Sequence, residues 1–179
     1  EHEFKKAFES SMTWCQHAGA HAIHVLPGIV PSELRAQATT TFIGNLRWAA
    51  DLAAQHDFTI LLEAINQRDK PGYFYSTQAE SNAIREQCER DNIKLMFDVY
   101  HVGVAEGDIL TKLERYIPHI GHIQIAAVPT RAEPDEGEVA YSAIFKRIEA
   151  LGYQGWIGCE YKPRTTVEEG LKWRDPYIT

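Results

Sequence analysis

The 179 residues carry 18 Lys and Arg against 25 Asp and Glu, a net charge of −7, with 44% hydrophobic and 24% charged residues. That is the profile of one ordinary globular domain, and the scattered bases form no stripe able to neutralise phosphates, which argues against a nucleic-acid partner. Apolar runs are interrupted by charges within about ten residues, too short to span a bilayer. No basic-then-apolar leader opens the chain, and Cys15, Cys88 and Cys159, sharing no metal-type spacing, read as reduced thiols of a cytoplasmic protein.

The first predicted element is a helix from Phe4 to about Gly19, with apolar positions at Phe4, Phe8, Met12 and Cys15 and a terminating glycine. A strand over residues 22–26 (AIHVL) ends at Pro27-Gly28. Pro31 and Ser32 open a longer helix to about His56, followed by a strand over 58–65 (FTILLEAI). Ser76 or Thr77 can cap a helix to about Arg90. Residues 93–100 (IKLMFDVY) read as the third strand, and a helix from about Asp108 to Tyr116 leads to a fourth over 120–126 (IGHIQIA). Residues 129–138 form a polar loop, a helix runs from Tyr141 to Leu151 before Gly152, and 156–161 (WIGCEY) is the fifth strand. Trp14 and Trp48 read as helix-spaced core, and Cys159 as a packed thiol on the strand face opposite Glu160.

Strand–helix alternation with nearly continuous apolar strands indicates a parallel sheet covered by helices. No glycine-rich phosphate loop follows any strand. Instead, one chemically capable polar residue stands late in each of four consecutive strands: Glu63, Asp98, Gln124 and Glu160. In a (β/α)8 barrel such strand ends converge on one mouth, which favours a barrel over an open doubly wound sheet.

A lone acid at a strand end is more often a cap than a ligand, but four on consecutive strands are hard to assign to chance. Three carboxylates and an amide oxygen make a hard, all-oxygen ligand set suited to Mg2+ or Mn2+. Such a cation would relieve their mutual repulsion and polarise a substrate carbonyl. His101, three residues beyond Asp98, belongs to the same mouth. His122 shares a strand face with Gln124, and His24 is ambiguous between site and core; the remaining histidines read as solvated. Arg68 and Arg131 follow two of these strand ends, where an arginine could clamp a substrate carboxylate.

The segments LLEAINQRDKPGYF (61–74), MFDVYH (96–101), GHIQIAAVPTRAEPDEGEVAY (121–141) and GYQGWIGCEYKP (152–163) resemble the hydroxypyruvate isomerase family, xylose-isomerase-like barrels that include 2-oxo-tetronate isomerases. The resemblance runs through essentially the whole chain. It implies metal ligation by Glu63, Asp98, Gln124 and Glu160, acid–base roles for Glu63 and Glu160, and substrate contacts from His101, Arg131 and Arg68. It also implies isomerisation of a small hydroxy-oxo acid such as hydroxypyruvate, tartronate semialdehyde or a 2-oxo-tetronate. A ketose 3-epimerase with nearly the same site and a non-catalytic barrel that only binds sugar acids are the alternatives. Residue 127 is Ala where many members have Asp, a departure that bears on the substrate. The family's chain also carries about three further strand–helix units before the first helix here. The five strands are therefore expected to be the fourth to eighth of a single barrel domain over 1–179 that is N-terminally incomplete, with a homodimer as one way of covering the gap.

Overall fold

The computed structural model describes residues 1–177. Helix α1 (His2–Ala18) buries Phe8, Met12 and Cys15, and Gly19 closes it in the left-handed conformation (φ 65°), where a residue without a Cβ carries no steric penalty. Strand β1 (Ala22–His24) follows, then helix α2 (Arg35–Ala54) and strand β2 (Thr59–Glu63). Helix α3 (Gln78–Cys88) starts from Thr77, whose side chain accepts from the Glu80 amide while Glu80 reaches back to the Thr77 amide. Strand β3 (Ile93–Asp98) leads directly into the short helix α4 (Val99–Ala105), then come α5 (Ile109–Tyr116), β4 (Ile120–Ile125), α6 (Tyr141–Ala150), β5 (Ile157–Cys159) and the four-residue α7 (Val167–Gly170).

The five strands form one parallel sheet in consecutive order, β1-β2-β3-β4-β5. Among the described residues β1 pairs only with β2 and β5 only with β4, so the sheet is an open arc with two free edges. Register assigns a separate task to each face. Ile60, Leu62, Leu95, Phe97, Ile123 and Ile125 point outward, are at most 1% exposed and pack beneath the helices. Their burial supplies about 1.5–3 kcal/mol each. The alternate residues face inward, and these include the polar ones: His24 lies beside Leu61 and Asp98 level with Gln124, which is level in turn with Gly158.

Four expectations from the sequence are corrected. The third strand stops at Asp98, and Val99 and Tyr100 belong to α4; Asp98 accepts from the Tyr100 amide at 2.8 Å, so a carboxylate at the N-cap turns the chain into a helix before the apolar run is spent. The other strands end one or two residues short of the apolar runs that suggested them. Trp14 is 73% exposed, because α1 turns the face carrying Phe8, Met12 and Cys15 inward and position 14 lies on the far side; Trp48 does pack on the core, edge-on to Phe4 and Phe8. Cys159 faces away from Glu160 as expected but is exposed, since nothing among the described residues covers the free edge of β5.

Candidate functional site

Because all five strands run the same way, their C-terminal ends share one rim. At that rim His24, Leu26, Glu63, Ile65, Asp69, Lys70, His101, Gln124, Arg131 and Glu160 enclose a cavity of about 390 Å³. Glu63 ends β2, Asp98 ends β3, Gln124 lies on β4, and Glu160 follows β5, its amide still bonded to the Ile125 carbonyl. Gly158 leaves room for its neighbours: a Cβ there would come within 2.9 Å of His122 Nε2 and 3.5 Å of Gln124 Cγ.

Three of these side chains carry buried oxygens with no hydrogen-bond partner, namely Glu63 Oε1, Asp98 Oδ2 and Gln124 Oε1. Glu63 and Asp98 are 4% and 0% exposed. Burial, with Asp98 and Glu160 nearby, pushes the Glu63 carboxyl up to about 8. Burial likewise raises Asp98 to about 7, against the opposing hydrogen bond from the Tyr100 amide. Acceptors that are buried, unpartnered and mutually repulsive fit a cation, which would satisfy the oxygens and favour the charged carboxylates. Glu63, Asp98 and His101 bring ligand-capable atoms within 4.8 Å of one another. The histidines on this face are kept neutral, since burial and the charge of Arg131 depress His101 to about 4, while burial and His122 depress His24 to about 4.

Arg131 has a positive φ of 58° in the loop after β4. Its guanidinium lies 3.5 Å from Asp69 and 3.4 Å from Glu160, and 4.9 Å from the Tyr100 ring centre. Arg68 donates to the Tyr100 hydroxyl and the Pro129 carbonyl, each at 3.2 Å, so it lines the rim outside the cavity. The loop carrying Arg131 is braced from the chain's last segment. Arg164 meets Glu133 at 2.9 Å and holds both oxygens of Asp135 at 2.6 and 2.8 Å, while the Lys162 amide donates to the Arg131 carbonyl.

The structure therefore gathers Glu63, Gln124, Glu160, His101 and Arg131 around one space, sets the Asp98 carboxylate within 4.8 Å of Glu63 and His101, and leaves Arg68 at its edge. It adds Asn66, Asp69, Tyr100 and Lys70. Asp69 accepts from Tyr100 at 2.7 Å and from Asn66 at 3.3 Å, and these bonds, helped by the charges of His101 and Arg131, hold its carboxyl below the usual range against the effect of burial. The NQRD run at 66–69 contained this signal, but its partners lie far along the chain. Ala127 is fully buried and does not line the cavity.

An arc of parallel α/β units with a carboxylate-lined cavity at the C-terminal strand ends defines a barrel-type protein with an enzyme-like site. Residues 1–177 match the xylose isomerase-like TIM barrel family. The chain is 44% identical to the 2-oxo-tetronate isomerase of Cupriavidus necator over 99% of its own length and 69% of that protein's. It is 36% identical to the hydroxypyruvate isomerase of Escherichia coli K12, again over 99% of this chain and 69% of the relative. A crystal structure from Brucella melitensis titled AP endonuclease, family 2, superimposes with a TM-score of 0.97 at 38% identity, over 100% of this chain and 69% of that one. The chain belongs to the xylose isomerase-like TIM barrel family and is an isomerase.

Proposed function

We propose that this isomerase interconverts small hydroxy-oxo acids, hydroxypyruvate with tartronate semialdehyde or the 2-oxo-tetronates, by proton transfer between Glu63 and Glu160. The observation that carries this reading is the set of unpartnered buried oxygens on Glu63 and Gln124, which line one small cavity with Glu160 and Arg131, together with that of Asp98, whose carboxylate lies within 4.8 Å of the ligand-capable atoms of Glu63 and His101. The names of the two similar isomerases supply the substrate class. The net charge of −7 and the scattered bases argue against a nucleic-acid substrate.

Held by Glu63, Asp98, Gln124 and Glu160, a hard divalent cation, Mg2+ or Mn2+, would polarise the substrate carbonyl and offset charge growing on its oxygens. One of Glu63 and Glu160 removes the proton from the hydroxyl-bearing carbon, giving an enediol-type species. The other delivers a proton to the former carbonyl carbon, while the hydroxyl proton passes to the former carbonyl oxygen. Arg131 faces the substrate carboxylate, and its contact with Glu160 keeps the two at fixed separation. His101 borders the same space and contacts a substrate oxygen.

The test is an activity panel of hydroxypyruvate, 2-oxo-tetronates, tetruloses, pentuloses and hexuloses, with and without chelator. Turnover of the acids, lost on chelation and restored by Mg2+ or Mn2+, is the expected result. In the same panel Arg131→Met raises KM far more for acids than for neutral sugars. Preference for neutral ketoses would mark a 3-epimerase, and no turnover at all a binding protein; either overturns the proposal.

A further inference from the structure

His101 stands at the third position of α4, almost wholly buried. One edge of its ring meets the NQRD loop and the other the cavity. Two donors aim at its Nδ1: the Asn66 backbone amide at 3.4 Å and the Asn66 side-chain Nδ2 at 2.7 Å. The amide's orientation is not free, because the backbone N–H of Asp69 donates to Asn66 Oδ1 at 2.9 Å, which places NH2 on the other side. That NH2 is shared between His101 Nδ1 and Asp69 Oδ2, and Asp69 is held in place by the Tyr100 hydroxyl. A backbone N–H can only donate. With two N–H groups directed at Nδ1, that nitrogen must present its lone pair, and in a neutral imidazole the proton then sits on Nε2.

We propose that Asn66, locked by Asp69, is a positioning residue that fixes His101 as the neutral Nε2–H tautomer, making His101 a hydrogen-bond donor into the cavity and not a metal ligand. Nε2 lies 3.7 Å from Asp98 Oδ2, so the N–H points into the space beside that carboxylate and not into a bond already made. The nearness of His101 to Glu63 and Asp98 otherwise makes it an obvious third ligand, but a nitrogen carrying a proton has no lone pair for a metal. His101 instead supplies an N–H where a substrate oxygen gains charge, a role that rests on the isomerase reading above; the tautomer does not.

Long-range nitrogen–proton NMR of 15N-labelled protein, metal-free and with Mg2+, tests the tautomer without any activity. The wild type should show an acceptor-type Nδ1 and a protonated Nε2, unchanged by Mg2+. In Asn66→Asp a carboxylate oxygen replaces the NH2, and a proton should move to Nδ1. A protonated Nδ1 in the wild type, loss of the Nε2 proton on adding Mg2+, or an unmoved proton in Asn66→Asp would overturn the proposal. If that variant does not fold, the wild-type spectra decide. With the substrate found by the panel, Asn66→Asp should lower kcat about tenfold or more while KM stays within about twofold, as when a donor used mainly in the transition state is lost. Unchanged kcat with a moved proton would overturn the donor role. Failure of the whole panel would sink the isomerase reading and leave the tautomer to the spectra.

Discussion

Glu63 and Glu160 are unequal partners. Glu63 is buried with one oxygen 3.7 Å from His24, whereas the Glu160 side chain is 48% exposed and faces Arg131. The proposed proton transfer needs both. Glu63→Gln and Glu160→Gln should each lower turnover about 100-fold or more, a floor set by the usual contribution of a general acid or base; near-normal turnover in either variant with metal bound would remove that residue from the mechanism. These two, with Asp98 and Gln124, were legible in the sequence because each interrupts an apolar strand with a polar group that burial would otherwise penalise. Asn66, Asp69 and Tyr100 were not. Asn66 meets His101 across 35 residues and Tyr100 meets Asp69 across 31, and no periodicity connects a loop to a helix start.

At the scale of elements, the clearest local signal is Thr77 with Glu80, a reciprocal pair that satisfies the free amides opening α3. Thr77 is half-buried and Glu80 exposed, and both lie outside the cavity. Thr77→Ala should lower stability by about 1 kcal/mol and leave KM unchanged; urea denaturation with matched kinetics measures both, and an unaltered midpoint would show that the cap contributes nothing. Strand existence was readable from composition, but strand ends were not. Asp98 illustrates why: as N-cap it satisfies the Tyr100 amide within the same chemical pattern that had marked it as a ligand. One carboxylate can start a helix with one oxygen and leave the other unpartnered beside Glu63 and His101.

For the whole molecule, the packed helices and outward strand residues stabilise the fold, while the inward rim opposes it. Burying Glu63 and Asp98 beside each other costs free energy that the charge of Arg131 only partly offsets. A divalent cation that binds only the folded chain should therefore raise thermal stability, by about 2.7 kcal/mol at a hundredfold excess over Kd. Differential scanning calorimetry with chelator and then with Mg2+ or Mn2+ measures this, and identical unfolding temperatures would argue against a site made of these oxygens. The parallel, helix-covered sheet was evident from strand–helix alternation, because alternation reports connectivity directly, whereas the choice of a barrel over an open sheet rested on the polar residues late in four strands. The exposure of Cys159 and Trp14 was not, since the uncovered edge and the far side of a helix depend on what lies alongside them in space.

The two faces of the sheet carry one further consequence. Along β2, β3 and β4 the residue that feeds the rim and the residue that anchors a helix are immediate neighbours: Glu63 beside Leu62, Asp98 beside Phe97, Gln124 beside Ile125. Unless a bulge takes up the difference, as where Leu95 and Met96 pair with Ile120 and His122 and skip Gly121, adding or deleting one residue inside any of these strands exchanges the two sets, driving a carboxylate or amide under the helices and an aliphatic or aromatic group into the cavity. Toward the rim, past that shift, each strand has a fixed parity. A change of chain length in the loops leaves that parity intact, and a new side chain reaches the rim most directly by substitution.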